Sequence, residues 1–589
     1  MTFKETMIFF WTFMKSFKWK LLVIVGAMIL DTTFTVLAPR YLGNAIEELV
    51  NYLTTFFTTG QASLAAFHAI LRMLILFYLL TITAQFIYIF LIAGIAGQVS
   101  NHMRIKMFKK VERLAIKFFD TSNDGELLAR FTSDMDNIGT ALQQHLIQIA
   151  SNIFWMIGVI IMMLRVNVQM ALLTLSIAPI AWFIAILIVR KARKYADLRQ
   201  DGMGVLNAYI DEKISGQKMI ITNGMEEETV AGFKPHNDHV RDNSFRSEVY
   251  GGLLFPVMQG IGLVNTAMVI FFGAYLTLQG SVDRAVGLGL IVMFVQYSQQ
   301  FYQPLTEVAA MYSQMQLAFV GARRVNEILS AEDEWERPNV KELQGIEKNL
   351  EIRNVDFAYE PEKPILQNLS LDVWKGSMVA VVGPTGSGKT TIMNLLNRFY
   401  SVDNGEILID GTDTRDISLA SLRQHVGIVL QDSTLFTGTI RHNIAFGKPD
   451  ASDEEVYEAA KQAHIHEFIM NLEKGYETEV SDENNVFSTG QKQLISIART
   501  VLTNPSLLIL DEATSNVDTV TESRIQKAMD NIIAGRTSLV IAHRLKTILN
   551  ADHIVVLVDG AVLEEGNHKQ LLRKNGFYAE LYHNQFVME

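Results

Sequence analysis

Residues 383–390 read Gly-Pro-Thr-Gly-Ser-Gly-Lys-Thr and follow the apolar run Met378–Val382. This order predicts a buried strand, a glycine loop and a helix that begins at Lys389, which is the context of a phosphate-binding loop. Glycines let backbone N–H groups approach phosphates, and the N-terminus of a helix favours an anion. The stretch therefore predicts an α/β domain that binds a nucleoside triphosphate.

The loop and the first helical turn supply most of the predicted ligands. The Lys389 ammonium is expected to reach the β- and γ-phosphates, and the Thr390 hydroxyl is expected to bind Mg²⁺. ATP and Mg²⁺ are thus the predicted cofactors. The other predicted contacts with ATP in this stretch are Gly383, Pro384, Thr385, Gly386, Ser387, Gly388 and Thr391.

A second apolar run, Ser506–Leu510, ends in two carboxylates. Asp511 is predicted to hold the magnesium ion, and Glu512 is predicted to orient and polarise the attacking water. His543 follows a further strand at Ser538–Ile541 and is predicted to contact the γ-phosphate and the water. The alternatives are a structural cap for the carboxylate pair and an ordinary structural role for the histidine.

Two further residues complete the predicted nucleotide site. Gln431 follows the apolar run Ile428–Leu430. It is predicted to bind the metal and to sense the membrane part of the chain. Tyr359 is predicted to stack on adenine.

Composition divides the chain of 589 residues into two parts. Hydrophobic residues make up 49%, which for this length suggests membrane segments. Residues 1–350 carry a net charge of +1 and residues 351–589 carry −12. No basic face for nucleic acid is indicated. The chain has no cysteine, which excludes disulfides and thiolate metal sites.

Six apolar stretches are long enough to span a bilayer of roughly 30 Å. Lysine and arginine are concentrated before the first stretch and in residues 97–141 and 190–246, whereas residues 51–70 carry none. The positive-inside rule therefore predicts that the N-terminus, both long inserts and the C-terminal half face the cytoplasm. We expect no cleavable signal peptide. The predicted spans are 21–45, 71–96, 145–165, 168–190, 252–278 and 284–308.

Domain boundaries follow from these patterns. Residues 1–325 are predicted to form the transmembrane domain, 326–349 a charged linker, and 350–589 the α/β domain. Each long insert contains a break, near 119–126 and 216–223, that favours a short connecting helix. The short helices expected at these breaks are suited to contact the ATP-binding domain.

The nucleotide residues together resemble the nucleotide-binding domain of ABC transporters. With six predicted spans in front, the whole chain resembles an ABC exporter half-transporter: an all-α six-span transmembrane domain followed by an α/β P-loop domain. The resemblance implies a dimer in which ATP lies between the glycine loop of one chain and the signature motif of the other. In this sequence the signature motif is at residues 487–491. The resemblance adds Ser488, Gly490 and Gln491 of the signature as contacts with ATP.

The signature departs from the family's usual Leu-Ser-Gly-Gly-Gln. It reads Phe-Ser-Thr-Gly-Gln at 487–491, so Thr489 replaces the first glycine. Threonine adds a β-branched side chain and restricts the backbone. Losing one well-aimed donor costs on the order of 3 kcal/mol of barrier, or ~100-fold in rate. The chain thus resembles the glutamate-bearing subunit of heterodimeric multidrug exporters of Gram-positive bacteria. A homodimer with a tolerated signature is the alternative.

The membrane half carries residues that suit amphipathic ligands. Methionine and aromatic side chains repack around varied shapes, and neutral amides form hydrogen bonds without a fixed charge. Helix packing is the alternative use of the same residues. Asp31 and Glu307 are acids inside predicted spans, and Asp31 is expected either to attract a cationic substrate or to pair with a partner-chain group. The predicted substrate residues are Asp31, Trp155, Gln296, Phe301 and Tyr302.

The predicted function is therefore ATP-driven export of amphipathic small molecules across the cytoplasmic membrane. The predicted partners are a second, non-identical half-transporter and the lipid bilayer, and no nucleic acid. Export of lipids or peptides is the alternative, because such exporters share nearly every motif.

Overall fold

The computed structural model describes residues 3–279, 283–430, 433–481, 487–511, 518–542 and 545–583. Its contacts divide the chain into two compact units. The first unit comprises Met1–Glu112 and Asn123–Ala331, and the second comprises Arg113–Ser122 and Glu332–Glu589. The short segment Arg113–Ser122 therefore groups with the second unit, although the residues before and after it in the sequence belong to the first unit.

The part of the chain before residue 331 is helical. Among the described residues, five helical stretches are long and apolar enough to cross a membrane, namely Lys4–Thr59, Ala65–Val111, Asp124–Val166, Val168–Ser215 and Glu226–Leu278. Each contains one of the first five predicted spans. The sixth predicted span lies within the next helix. The helices are α1 (Phe3–Met14), α2 (Lys18–Thr59), α3 (Ala65–Val111), α4 (Ile116–Asp120), α5 (Asp124–Phe131), α6 (Ser133–Thr140), α7 (Leu146–Val166), α8 (Val168–Ser176), α9 (Ala178–Ser215), α10 (Gln217–Asn223), α11 (Glu226–Leu278) and α12 (Arg284–Ser330).

Short helices lie at both predicted breaks, α4 in the first insert and α10 in the second. The last long helix, α12, runs further than the sequence suggested. It continues to Ser330, so the predicted linker at 326–349 overlaps its end. Charged residues extend this helix because they pair along it, as Arg323 does with Glu327 at 3.9 Å.

Within the first unit, α2 packs against α3, α7 and α12, and α9 packs against α11. Phe294 and Tyr297 of α12 are completely buried in the shared core. A polar contact adds to this packing, because Asn265 of α11 donates a hydrogen bond to Ser298 of α12 at 2.8 Å. These contacts define the helix faces between which the cavities described below lie.

The second unit is an α/β domain. Its described part holds a four-stranded antiparallel sheet in the order β2-β1-β4-β5 and a six-stranded sheet in the order β12-β11-β3-β10-β9-β6. A small two-stranded pair, β7-β8, is separate. The strands are β1 (Asn349–Glu360), β2 (Lys363–Trp374), β3 (Met378–Val382), β4 (Asn404–Ile409), β5 (Thr412–Asp413), β6 (Val426–Val429), β7 (Gly438–Thr439), β8 (Glu479–Val480), β9 (Leu507–Asp511), β10 (Thr537–Ile541), β11 (His553–Val558) and β12 (Ala561–Gly566).

Strands β3, β10, β9 and β6 are parallel to one another, and every residue of β3, β9 and β10 is buried. Strands covered on both faces are predominantly apolar, which explains the sequences rich in valine, leucine and isoleucine. Besides α4, the described helices of this unit are α13 (Lys389–Leu396), α14 (Leu419–His425), α15 (Ile440–Ile444), α16 (Asp453–Gln462), α17 (His466–Met470), α18 (Thr489–Thr503), α19 (Thr519–Ile533), α20 (Leu545–Asn550), α21 (His568–Lys574) and α22 (Phe577–Leu581).

Candidate functional sites

The glycine loop connects β3 to α13, as the sequence predicts. Gly388 has a φ of +99°, a conformation that residues with a side chain rarely adopt. A Cβ at this position would lie 2.7 Å from the Leu366 side chain. Conformation and space therefore both require glycine where the loop meets the helix.

Lys389 is held inside this loop. Its side chain is buried, and Nζ donates hydrogen bonds to the carbonyl oxygens of Gly383 and Pro384, both at 2.9 Å. Burial lowers the pKa of Lys389, and the negative charge of Asp511 opposes that change. An ammonium in this partly dehydrated position gains strongly from an anion such as a phosphate.

The four hydroxyl side chains of the loop and the first helical turn differ in exposure. Ser387 is 2% exposed, and its Oγ has no hydrogen-bond partner in the described part of the chain. Buried polar atoms are normally hydrogen-bonded, so this hydroxyl suits a bound phosphate oxygen. Thr385 and Thr390 are exposed and Thr391 is buried. Of the two threonines in the first helical turn, Thr390 is therefore the one accessible to a metal ion.

Asp511 ends β9 at the sheet edge that carries the glycine loop. In the parallel sheet Ile541 of β10 pairs with Asp511, and Ile541 also pairs with Val381 of β3. The carboxyl ends of adjacent parallel strands meet at one edge, where α/β domains bind ligands. The strand ends thus bring Asp511 and the glycine loop together.

Three predicted residues follow strands of this edge in the sequence: Gln431 after β6, Glu512 after β9 and His543 after β10. All three lie outside the described residues. Their roles as metal ligand, general base and γ-phosphate contact stay predictions.

The oxygen atoms at this edge fit a magnesium ion. Within the described ranges, no three acidic, histidine or cysteine side chains form a metal site by themselves. Mg²⁺ in nucleotide sites is typically held by one or two protein oxygens together with phosphates and water. Thr390 and Asp511 supply that kind of donor set.

Tyr359, the predicted adenine platform, lies near the end of β1. Its ring packs edge-on against Phe357 and Tyr400, with 4.9 Å between centroids in each case. Its hydroxyl accepts a hydrogen bond from Asn394 of α13 at 2.9 Å. The ring is 39% exposed, so one part of it remains available for stacking.

Asn394 and Tyr400 were not predicted from the sequence. The first fixes Tyr359 to the helix of the glycine loop, and the second contacts the ring. The only available signal was the aromatic pair at 399–400, which follows α13. Nothing in its spacing indicated contact with a residue forty positions earlier.

The signature segment begins α18. Ser488 caps the helix: its Oγ accepts from the N–H of Gln491 at 3.3 Å, and the Gln491 side chain accepts from the N–H of Ser488 at 2.9 Å. Gly490 is buried behind this cap. The reciprocal pair is a capping box, which fixes the first turn.

The two altered signature residues have different environments. Phe487 is 5% exposed and packs against Phe468, with ring centroids 6.2 Å apart. Thr489 is exposed and is the first residue of the helix. The expectation that threonine restricts the backbone is therefore unimportant here, because a residue with a side chain adopts the helical conformation readily. The difference from glycine at this position is the side chain that Thr489 adds to the surface.

In the first unit, Asp31 is surrounded by neutral donors. It is 1% exposed and accepts hydrogen bonds from Gln85 at 3.1 Å, Trp155 at 3.2 Å and Thr35 at 3.4 Å. Among the described residues no lysine or arginine forms an ion pair with it. Asp31 therefore links α2 to α3 and α7.

Glu307 of α12 has a similar set of neutral partners. It accepts from Asn152 at 3.0 Å and from Gln148 at 3.2 Å, both on α7, and from Gln303 at 3.1 Å. Unlike Asp31, Glu307 is only partly buried. It is the more accessible of the two carboxylates.

The other predicted substrate residues fall into two groups. Phe301 and Tyr302 are buried in the helix core, where the Tyr302 hydroxyl donates to the carbonyl oxygen of Thr174 at 3.3 Å. Gln296 is half-buried. None of these three lines the cavities described next, whereas Trp155 does. The polar wall on α12 is formed further along the helix, by Gln303 and Glu307.

Two neighbouring cavities lie between the helices of the first unit. The polar cavity has a volume of about 400 Å³. The apolar cavity has a volume of about 390 Å³. Asn152 lines both. The polar cavity is lined chiefly by Tyr88, Gln144, Gln148, Ser151, Trp155 and Glu307. The apolar cavity is lined chiefly by Ile149, Ile153, Met156, Trp182, Val189 and Met258.

Comparison with known proteins places both units in one family. Residues 21–305 match the family described as ABC transporter transmembrane region, and residues 366–515 match the family described as ABC transporter. A bacterial Atm1-family ABC exporter with ATP bound has a similar structure, with a TM-score of 0.76 and 30% identity over 96% of this chain and 98% of that one. The chain belongs to the ABC transporter family and is an exporter subunit that couples ATP hydrolysis to transport.

Several relatives match most of their own length. The uncharacterized ABC transporter ATP-binding protein YfiC of Bacillus subtilis is 39% identical over 99% of this chain and 94% of that protein. A fatty acid ABC transporter ATP-binding/permease protein of Mycobacterium bovis is 41% identical over 81% and 75%. YgaD of Bacillus subtilis, provisionally named for multidrug export, is 34% identical over 97% of each chain.

Proposed function

We propose that this chain is the hydrolytic half of a heterodimeric exporter of amphipathic small molecules in the cytoplasmic membrane, with its ATPase unit in the cytoplasm. One observation carries the heterodimer: Thr489 is exposed at the start of the signature helix, while the glycine loop and Asp511 of the same chain are intact. In the family's dimer a signature acts on the ATP of the opposite chain. Thr489 therefore affects the partner's site and leaves this chain's own site unaffected.

The proposed division of roles follows from this arrangement. Lys389 and Ser387 bind phosphate oxygens, and Thr390 and Asp511 hold Mg²⁺ with Gln431. Glu512 polarises the attacking water, and His543 contacts the γ-phosphate. The partner's signature completes this site. Ser488, Gly490 and Gln491 complete the slower site that is built on the partner's glycine loop.

The oligomer is tested by purifying the tagged full-length chain from its own membranes. We expect a second half-transporter to co-purify, identified by mass spectrometry. The pair should hydrolyse ATP severalfold faster than the chain produced alone. A stable homodimer of this chain with full substrate-stimulated ATPase activity contradicts the proposal.

The proposed substrates are amphipathic molecules of varied shape. Support comes from the polar and apolar cavities that meet at Asn152, and from the similarity to YgaD. Neutral amides tolerate many hydrogen-bonding partners, and methionine side chains such as Met156 and Met258 adapt to different shapes.

Lipid export is the second candidate. It is favoured by the relative named a fatty acid transporter and by the predominantly apolar residues that line the apolar cavity. Proteoliposomes that contain the purified complex distinguish the two. ATP-dependent uptake of several unrelated dyes supports multidrug export, whereas translocation of labelled fatty acid without dye uptake supports the lipid function.

A further inference from the structure

We propose, building on the exporter function above, that the two cavities bind amphipathic organic cations. Glu307 and the ring of Trp155 recognise the positive charge in the polar cavity, and the apolar cavity takes the apolar body of the same molecule. Four observations carry this inference: the partners of Glu307, the anchoring of Trp155, the burial of Asp31 and the position of Asn152.

Glu307 lines the polar cavity with uncompensated negative charge. Its Oε2 accepts from Gln148 and Asn152, and its Oε1 accepts from Gln303. These three amides satisfy lone pairs but carry no charge. In the described part of the chain no lysine or arginine pairs with this carboxylate. A carboxylate in a membrane segment is unfavourable without a counter-charge, so a cationic ligand supplies the positive charge that the neutral amides do not provide.

Trp155 offers an aromatic ring beside this carboxylate. Its indole N–H donates to Oδ2 of Asp31 at 3.2 Å, which fixes the orientation of the ring, and the side chain lines the polar cavity. The face of an indole attracts a cation more strongly than that of other aromatic rings. A fixed ring and a carboxylate on the wall of one cavity form a recognition site for an organic cation.

Asp31 acts through Trp155. It is 1% exposed and already accepts three hydrogen bonds, and it does not line the polar cavity. We therefore assign it as a positioning residue. This assignment differs from the sequence-based expectation, which named Asp31 and not Glu307 as a substrate residue.

Asn152 connects the two cavities. It lines both, and its Nδ2 donates to Glu307. A ligand whose charge lies at Glu307 thus has the apolar wall formed by Ile153 and Met156 within one side chain's length. Arg190 is the one charged residue among those that line the apolar cavity, and it is exposed. An anionic amphiphile would use Arg190 instead, which the test below examines.

The test measures binding to the full-length chain, purified with its partner and reconstituted in nanodiscs. The probes are ethidium, a permanent cation, and Nile red, an uncharged amphiphile. We expect Glu307→Gln to weaken ethidium binding about tenfold, the effect of losing roughly 1.4 kcal/mol, and to change Nile red binding less than about twofold. Glu307→Asp keeps the charge and should retain most of the ethidium affinity. Glu48→Gln, a neutralisation on α2 outside both cavities, is the matched control.

Equal losses for both probes, or no loss for either, overturn the cation site. Oleate binding that is tighter than ethidium binding and is lost in Arg190→Gln overturns it in favour of an anionic amphiphile. ATP-driven uptake of the probes is measured separately in proteoliposomes. Binding that depends on Glu307 without any uptake contradicts the export of small molecules and leaves the cation site supported.

Discussion

The phenolic hydroxyl of Tyr400 donates a hydrogen bond to the carboxylate of Asp120, with 2.5 Å between the two oxygens. Burial raises the pKa of Tyr400, and the negative charge of Asp120 raises it further, so the hydroxyl remains a donor. Asp120 belongs to the segment Arg113–Ser122, which follows helix α3 in the chain but groups with the ATPase unit. The Tyr400 ring also contacts Tyr359. One side chain therefore joins the proposed adenine platform to a segment that is continuous with a membrane helix.

The first prediction concerns this link. Tyr400→Phe keeps the ring against Tyr359 and removes only the hydrogen bond, which is worth about 1 kcal/mol. We expect ATP affinity close to that of the wild type and a two- to tenfold smaller stimulation of ATPase activity by substrate, a range set by that energy. Steady-state ATPase assays with and without a transported dye measure this. Asn394→Ala is the contrasting variant, because it should weaken ATP binding by freeing the Tyr359 hydroxyl. If substrate stimulates the ATPase activity of Tyr400→Phe as strongly as that of the wild type, the hydrogen bond to Asp120 plays no part in this stimulation.

The second prediction concerns the glycine loop. Gly388 and Gly376 both have positive φ, +99° and +74°, but only Gly388 lacks room for a Cβ. Gly376→Ala should lower stability by about 1 kcal/mol through backbone conformation alone. Gly388→Ala adds the collision with the Leu366 side chain. It should lower the free energy of unfolding by about 3 kcal/mol and abolish most ATP binding. Thermal unfolding and nucleotide titration of both variants are compared, and the difference between them is the contribution of the collision with Leu366.

The third prediction separates the two changes in the signature. Thr489→Gly removes the side chain that keeps the signature's backbone N–H groups away from the partner's ATP, and should raise hydrolysis at the partner's site by up to ~100-fold, the effect of one well-aimed donor. Phe487→Leu changes only a core contact and should alter stability by less than about 1.5 kcal/mol without changing that rate. Single-turnover hydrolysis in complexes that carry Glu512→Gln isolates the partner's site. A larger gain from Phe487→Leu than from Thr489→Gly would contradict the assignment.

The fourth prediction concerns Asp31. Asp31→Asn leaves a single acceptor oxygen where Gln85, Trp155 and Thr35 now donate, so the indole loses its anchor. Because the ring of Trp155 recognises the positive charge, we expect affinity for ethidium to fall about threefold to tenfold and affinity for Nile red to fall less than about twofold. In a Trp155→Phe background, Asp31→Asn should add no further loss of ethidium affinity, and a further loss would make Asp31 a direct ligand of the cation.

The fifth prediction concerns pH. The pKa of His568 is lowered by burial and, in addition, by the positive charge of Lys569, and its Nδ1 lies 2.7 Å from the Tyr578 hydroxyl. Since the unfolded chain binds this proton more readily, the contribution of His568 is complete above its ordinary pKa of about 6.5 and is lost as the pH falls through the lower folded value.

Thermal unfolding between pH 7.5 and 5.5 measures this contribution. His568→Gln should reduce the loss of stability on acidification. Tyr578→Phe removes the hydrogen bond but leaves the histidine, so it should keep the pH dependence. Identical slopes in the wild type and His568→Gln would rule out the assignment.

Much of the ATPase unit was predictable, because its chemistry constrains single positions. The positive φ at Gly388 and the buried strand before it demand particular residue types, so the sequence records them directly. Asp511 at the end of a buried strand is informative for the same reason.

The membrane cavities were less predictable. Phe301 and Tyr302 are as suitable for a helix core as for a cavity wall, and which face they occupy depends on the packing of α12 against other helices. The partners of Asp31 come from α2, α3 and α7, and a single sequence contains no sign of that convergence. The grouping of Arg113–Ser122 with the ATPase unit likewise depends on tertiary contacts such as that of Tyr400.

The capping box at the start of α18 affects which hydrogen bonds the Ser488 hydroxyl can form with other groups. A serine hydroxyl has one hydrogen and two lone pairs. In Ser488 a lone pair is occupied by the N–H of Gln491, and this bond does not use the hydrogen of the exposed hydroxyl. In the dimer proposed above, that hydrogen is available to a phosphate oxygen of the partner's ATP while the helix keeps its cap.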